Sequence, residues 1–399
     1  MADRSEGGRL PWASLAAVIA GLTVASMTGG FNAPLFSARL DAAGYGASLI
    51  GLSAAANAIG LFVVAPLAPA LLARHGLARV MIVTSLLEVA LYLGCALSED
   101  FYVWTLLRLL MGGIGGVLWI AGEVWITQAA TDATRGRVLA IYNSFFGLGT
   151  AAGPTVLSAI GHQGALPFVV AAGIVLVSVL PILWARALAP VIEPDGSGDG
   201  FAVRALLAPL RLAAVPMMLN LSYALVFAGL WTFLPVFAVD TGLPVERAFQ
   251  QLTAFSVGTI VLQFPVGWLS DRFDRRLIAT VLIAGSLAAV ASMNLFVHVP
   301  GLDFAYFFVL GGIVSGVYVV ALSLIGKRFR GSALAAAITV YTLMWSAGSM
   351  IGPPLVGLAT QVAGADGLPL ALVVFTLVFL PFTAASWLRH RRAAKRPSA

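Results

Sequence analysis

Gly149-Thr-Ala-Ala-Gly-Pro154 returns as Gly348-Ser-Met-Ile-Gly-Pro353, a shift of 348 − 149 = 199 residues. The same shift carries Gly112-Gly-Ile-Gly-Gly116 onto Gly311-Gly-Ile-Val-Ser-Gly316, and a shift of 271 − 73 = 198 carries Ala73-Arg74 onto Asp271-Arg272. Self-similarity at a fixed spacing marks a duplicated unit, so the chain reads as two copies of one half. The sequence around these motifs is apolar: 60% of its 399 residues are hydrophobic and 10% are charged, against roughly 45–50% and about 25% in a soluble globular chain. A bilayer core about 30 Å thick takes ~20 mostly apolar residues per helical span. Runs of that length between polar breaks predict twelve transmembrane helices, at 12–33, 47–72, 77–97, 101–128, 136–160, 166–188, 209–236, 246–270, 276–297, 301–326, 331–359 and 367–388.

The longest polar break runs from Pro190 to Arg204 and holds Glu193-Pro-Asp-Gly-Ser-Gly-Asp-Gly200, the composition of a flexible linker. It divides the chain into a six-helix bundle at 1–188, a cytoplasmic linker at 189–208 and a second six-helix bundle at 209–399. An even number of spans separates the matched motifs, so the repeat is parallel, with a pseudo-two-fold axis along the membrane normal. Arg4 followed by the apolar stretch to Gly30 has the look of a signal peptide, but more spans follow it, and it reads as an uncleaved first span.

All Lys and Arg except Arg39, Arg108 and Arg247 fall on one side if the amino terminus is cytoplasmic, and the chain has 23 in total. The positive-inside rule therefore expects both termini in the cytoplasm. The net charge of +6 is scattered through short breaks and forms no basic face of a soluble domain, which excludes nucleic acid as a partner. Cys95 is the only cysteine, so there is no intrachain disulfide and no multi-cysteine metal site. His75, His162, His298 and His390 sit in loops or at span ends, and no paired intramembrane aspartates or metal-ligand spacing occurs. With no nucleophile and base, no metal cluster and no phosphate-binding loop, the sequence offers nothing for hydrolysis, for a cofactor or for ATP-driven pumping.

Gly267-Trp-Leu-Ser-Asp-Arg-Phe-Asp-Arg-Arg276 resembles the cytoplasmic loop motif of the major facilitator superfamily, a glycine followed by an aspartate–arginine pair and further basic residues. The resemblance implies twelve spans in two bundles and secondary transport by alternating access. On the physical reading Gly267 lets helices approach closely, while Asp271, Arg272, Arg275 and Arg276 form a charge cluster that latches a cytoplasmic gate. The first-half copy, Pro69-Ala-Leu-Leu-Ala-Arg-His-Gly-Leu-Ala-Arg79, lacks the glycine and has Ala73 in place of the aspartate. A latch there, made by Arg74 and Arg79, must be weaker or built differently. Arg108 with Gly112 and Gly115 resembles the superfamily's fourth-span motif, whose intramembrane arginine is linked to proton coupling. Gly149, Gly153 and Pro154 resemble the fifth-span motif of its antiporter branches, although the echo at Gly348, Gly352 and Pro353 is equally accounted for by packing of small residues. Gly122-Glu-Val-Trp125 and Arg135-Gly-Arg-Val-Leu-Ala-Ile-Tyr142 resemble the YcaD-like branch.

A charge facing lipid is costly, so Arg108 is expected to face protein or a wet cavity. Glu88 lies at a similar depth on span three, which makes a Glu88–Arg108 pair the expected arrangement. Such a pair would either couple transport to protons or be a static ion pair that fixes helix register. Glu123, near the cytoplasmic end of span four, would titrate as the inner face opens or join Arg135 and Arg137 in the gate. The candidate substrate cavity draws on Asn32, Asn57, Asn143, Asn220, Tyr223, Gln263, Tyr318, Tyr341 and Trp345, each of which could serve instead as an interhelical hydrogen bond. With Arg108, Glu88 and Glu123 the only charged residues away from the span ends, a neutral, amphipathic or weakly cationic small molecule fits better than an organic phosphate.

The sequence therefore points to a monomeric, proton-coupled exporter in a bilayer, with uptake by symport or facilitated diffusion as the rival within transport. A non-transporting receptor or assembly factor is the rival of another class. A composition of 21 Arg against two Lys suggests a bacterial source of high genomic GC, hence the inner membrane.

Overall fold

The computed structural model describes residues 12–131, 134–190, 213–329 and 331–394. From residue 191 onward the expected linker lies outside these, as do Arg4, Arg9, Arg204, Arg211, Arg330, Lys395 and Arg396 of the orientation argument. Apart from short connecting turns, the described residues are helical. Helices α1 (Trp12–Ala42), α2 (Ala47–Val64), α3 (Ala68–His75), α4 (Leu77–Ala96), α5 (Phe101–Ala129), α6 (Arg135–Ile160) and α7 (Leu166–Ala185) come from the first half. The second half gives α8 (Ala214–Asp240), α9 (Val245–Arg272), α10 (Arg275–Ala291), the short α11 (Met293–Phe296), α12 (Leu302–Arg328), α13 (Gly331–Ala363) and α14 (Gly367–Ala394). Nine stretches among the described residues are long and apolar enough to cross a bilayer, the last of them, Ala337–Arg392, covering two helices. Lipid offers no hydrogen bonds to a bare backbone, so helices that satisfy their own amides are what such a sequence can form there.

Two features depart from the expected spans. Helix α1 continues nine residues past the predicted end at 33, so Arg39 lies in its last turn rather than in a loop; Arg247 likewise sits in the first turn of α9. The second span is broken. Helix α2 stops at Val64, Ala65–Leu67 form a single 3-10 turn, and α3 resumes at Ala68. Pro66 and Pro69 cause the break, since each removes a backbone donor and crowds the preceding turn. Gly76, at φ +79°, then turns the chain into α4, a conformation a side chain would strain. Helices α5 and α10 start on side-chain caps, Asp100 accepting from the Val103 amide at 2.9 Å and Asp274 from the Arg276 amide at 2.8 Å.

The chain forms two compact units. One contains α1 up to Asn32, then Ile59–Val156 and the segment from His162; the other contains Ala33–Ala58, Leu157–Gly161 and the second half. In the first unit α6 lies against α1 almost backbone to backbone. A Cβ on Gly149 would collide with Ser26 and the Thr23 carbonyl, and one on Gly153 with the Met27 carbonyl. The Ser26 hydroxyl donates to the Phe146 carbonyl at 2.9 Å across the same seam. The second unit repeats this between α13 and α8, where Gly348 meets Ala224 and Gly352 meets Leu225. The α2–α5 contact is repeated too, because Gly60 abuts the Leu109 carbonyl and Gly258 the Phe308 carbonyl. The duplication seen in the sequence is thus a duplication of helix crossings.

Among the described contacts, Gly113 of α5 meets α2 at Val64 and Gly116 meets it at Leu61. They are each one residue beyond the predicted Gly112 and Gly115. Gly267 does not bring helices together, since a Cβ there would meet nothing; α9 makes its close approach at Gly258. In the second unit the start of α2 also packs on α13. Gly51 lies on Pro353 and Pro354, Gly357 on the Ala47 carbonyl, and Ser48 donates to Gln361.

Candidate functional site

Helices α1, α4 and α5 of the first unit enclose a polar cluster. Glu88 and Arg108 are both buried, Arg108 at 1% exposure. Antiparallel register sets Gly94 beside Leu107 and lets the Trp104 indole donate to the Cys95 carbonyl at 3.1 Å. Arg108 is therefore opposite Tyr92, about one turn from the level of Glu88. Helical side chains lean toward the start of their own helix, and on antiparallel helices this drives the two apart. The Glu88 carboxylate reaches down to Gly115, 3.7 Å from where a Cβ would be. The guanidinium instead interacts with Cys95 and Tyr92. Tyr92, which the sequence reading did not select, stands between the two charges. Its hydroxyl also bonds Thr28 and lies 3.5 Å from Asn32 Nδ2, which is equally far from the Met111 sulfur. Asn32 Oδ1 is buried without a hydrogen-bond partner among the described residues. The signal that could have found Tyr92 is its position one turn beyond Glu88 on the same face of α4.

Glu123 lies beside two aromatic side chains. Trp119, one turn earlier on α5, donates its indole N–H to the Tyr142 hydroxyl at 3.0 Å, and Glu123 interacts with both. Arg137 is exposed, and the Arg135 side chain lies outside the described residues.

In the second unit the predicted cavity residues of α8, α12 and α13 come together. The Tyr223 ring is 5.1 Å from Trp345, 5.4 Å from Tyr318 and 5.6 Å from Phe227. Tyr318 is also 5.4 Å from Tyr341, whose hydroxyl donates to the Tyr318 carbonyl at 2.9 Å. Asn220 donates from Nδ2 to the Tyr341 carbonyl at 2.6 Å, while its Oδ1 is buried and has no hydrogen-bond partner among the described residues. Tyr223, Phe227, Tyr318 and Trp345 are all partly accessible, although α8 is otherwise largely buried. They form an aromatic face backed by fixed hydrogen bonds. Asn57 and Gln263 are half-buried, while Asn143 is exposed. Neither Asn143 nor Gln263 makes contact with this face among the described interactions.

The loop motif from Gly267 to Arg276 is held within the second unit. Arg275 donates to Asp271 at 2.7 Å, to the Ser323 carbonyl at 2.8 Å and to the Ser270 carbonyl at 3.1 Å, tying the end of α9 to α12. The Arg272 guanidinium lies 4.0 Å over the Trp268 ring, a cation–π contact. Arg276 approaches the Ser386 carbonyl on α14 at 3.5 Å. At the opposite end of α9, Asp303 is fully buried and takes a two-pronged bond from Arg247 at 2.8 and 2.9 Å, with Gln251 donating at 2.9 Å.

The family model described as Major Facilitator Superfamily matches residues 18–252 and 250–399. The uncharacterized MFS-type transporter YfkF of Bacillus subtilis is 27% identical over 334 residues, covering 83% of this chain and 85% of that protein. The uncharacterized MFS-type transporter YcaD of Escherichia fergusonii is 27% identical over 295 residues, covering 73% and 74%. Among solved structures, a bacterial homolog of the human lysosomal transporter Spinster superposes with a TM-score of 0.74 at 17% identity, over 95% of this chain and 96% of the other.

Proposed function

The chain belongs to the Major Facilitator Superfamily and is a multi-pass membrane transporter, not an enzyme, and from that premise we propose proton-coupled export of a neutral, amphipathic or weakly cationic small molecule. The observation that carries the reading is the buried cluster of Glu88, Tyr92 and Arg108. A carboxylate and a guanidinium enclosed by three helices, leaning apart with a phenol between them, leave Glu88 able to take up or release a proton without breaking a direct ion pair. The second unit supports the substrate class. Its aromatic face of Tyr223, Phe227, Tyr318 and Trp345 offers stacking area and the attraction of ring faces for a cation. No carboxylate or arginine among the described residues joins that face.

The reading includes twelve spans working by alternating access, both termini in the cytoplasm, and a bacterial inner membrane, in keeping with the positive-inside distribution. The protein acts as a monomer, each chain carrying both halves of the repeat. Protons, the bilayer and the substrate are its partners.

The test is a proton-flux assay on purified protein in proteoliposomes with an acidified lumen, against a panel of aromatic amphiphiles and weak cations. Export by antiport releases lumenal protons when substrate is added, whereas symport or a facilitator does not. Arg108→Ala and Glu88→Gln should each abolish that release while the folded protein survives. Unchanged flux in both variants would make the cluster structural.

A further inference from the structure

The break in the second span opens a groove in the first unit. It has a volume of about 520 Å³ and is walled by α2, α3, α4 and α5. Its floor is the seam where Gly60 and Gly113 bring α2 and α5 into backbone contact. Its flanks are Val63, Leu71, Val83, Leu87 and Leu110, all exposed large hydrophobics. On a membrane protein such a surface meets acyl chains. Only one end is polar, where His75 and Arg79 line the mouth beside exposed Arg74. From Arg79 to Leu87 along α4 is eight residues, about 12 Å of apolar wall below the charge.

The charge at that mouth has no acidic counterpart nearby in the chain, for no Asp or Glu occurs between Asp41 and Glu88. The matching loop of the second half is different, with Asp271 in place of Ala73 and its charge engaged by Arg275 at 2.7 Å. The first loop is therefore cationic next to a groove at a helix break, whereas the matching helix α9 runs unbroken through Pro265. His75 is oriented by its own helix, Nδ1 lying 3.2 Å from the Leu71 carbonyl, which directs Nε2 away from α3.

We propose that this groove binds one anionic phospholipid, with an acyl chain along Val83 and Leu87 and the phosphate held by Arg79 and His75. Cationic residues where an interhelical groove reaches the cytoplasmic surface are the arrangement that recognises acidic headgroups. A weakly cationic substrate would be repelled by the same mouth. The site is separate from the buried cluster and the aromatic face, and its occupancy holds whichever way the substrate moves.

The test uses the full chain purified in mild detergent, delipidated and then titrated with phosphatidylglycerol or with phosphatidylcholine of identical acyl chains, bound lipid being counted by native mass spectrometry. Wild type should retain phosphatidylglycerol at least tenfold better. Arg79→Ala should reduce that preference about fivefold, the effect of one basic residue worth ~1 kcal/mol at a membrane surface. Val83→Trp, which fills the groove, should lower retention of both lipids, and Arg389→Ala at the end of α14 should change neither. Equal retention of the two lipids by wild type would overturn the proposal, as would a preference that survives Arg79→Ala, His75→Ala and Val83→Trp together. A groove that instead joined two copies would show as a dimer lost in Val83→Trp and indifferent to lipid, and that too would overturn it. Arg79 and His75 are exposed, so their replacement leaves the fold in place.

Discussion

Glu88 and Arg108 occupy facing helices about one turn apart, yet their side chains lean in opposite directions, the carboxylate to Gly115 and the guanidinium to Cys95. The space between them belongs to Tyr92. A proton exchanged at Glu88 therefore changes the charge beside a phenol that is itself hydrogen-bonded to α1 through Thr28 and Asn32. This gives protonation a mechanical route to the first helix.

Tyr92→Phe removes that link and leaves Thr28 and Asn32 short of a partner. It should lower stability by about 1 kcal/mol, seen as a reduced Tm in detergent, and slow substrate-driven proton release more than the modest loss of stability accounts for.

Gly153→Leu should be among the most damaging changes in the chain, because its side chain would drive into the Met27 carbonyl and part α1 from α6. A loss above ~3 kcal/mol is expected, read as failure to elute as a monodisperse peak in size-exclusion chromatography. Gly267→Ala, in the more recognisable motif, meets nothing and should stay within about 0.5 kcal/mol of wild type.

Arg275→Ala should destabilise the protein more than Asp271→Asn. Asp271 is exposed and its ion pair is worth roughly 0–1 kcal/mol, whereas Arg275 also satisfies the Ser270 and Ser323 carbonyls. The difference is expected at about 1–2 kcal/mol and is measured by thermal unfolding of the two variants side by side.

Asp303→Ala leaves Arg247 and Gln251 facing an apolar hole. Breaking a buried pair by removing one partner costs about 3–5 kcal/mol, so the Tm should fall steeply. The double variant Asp303→Leu with Arg247→Met should recover much of the loss, because neither charge is then stranded.

The duplicated crossings were legible from spacing alone. Gly149 and Gly153 have Gly348 and Gly352 as their images, and a close helix approach needs little more than small residues at matched positions. The aromatic face was legible in part: Tyr223, Tyr318, Tyr341 and Trp345 could be placed on inner spans, but Phe227 and the Asn220 bond to Tyr341 emerge only when α8, α12 and α13 meet. Tyr92 and Trp119 escaped notice because an aromatic residue in an apolar run carries no periodic signal of its own. The sequence depth of Glu88 and Arg108 was nearly right and their pairing was not, since counting residues along two helices fixes Cα levels and says nothing of side-chain lean. Gly267 shows the opposite error, a glycine whose motif is clear and whose packing role belongs to Gly258.

The seam between α2 and α13 has a consequence for biosynthesis. Gly51 comes to rest on Pro353 and Pro354, and Ala47 under Gly357, so this segment gains its neighbour only after about 300 further residues have been made. At the ~5–20 residues per second of translation, that stretch waits about 15–60 s inside the membrane with the backbone-deep notch at Gly51 unfilled. Substitutions at Gly51 should therefore be felt in how much protein a cell accumulates before they are felt in how the finished protein works.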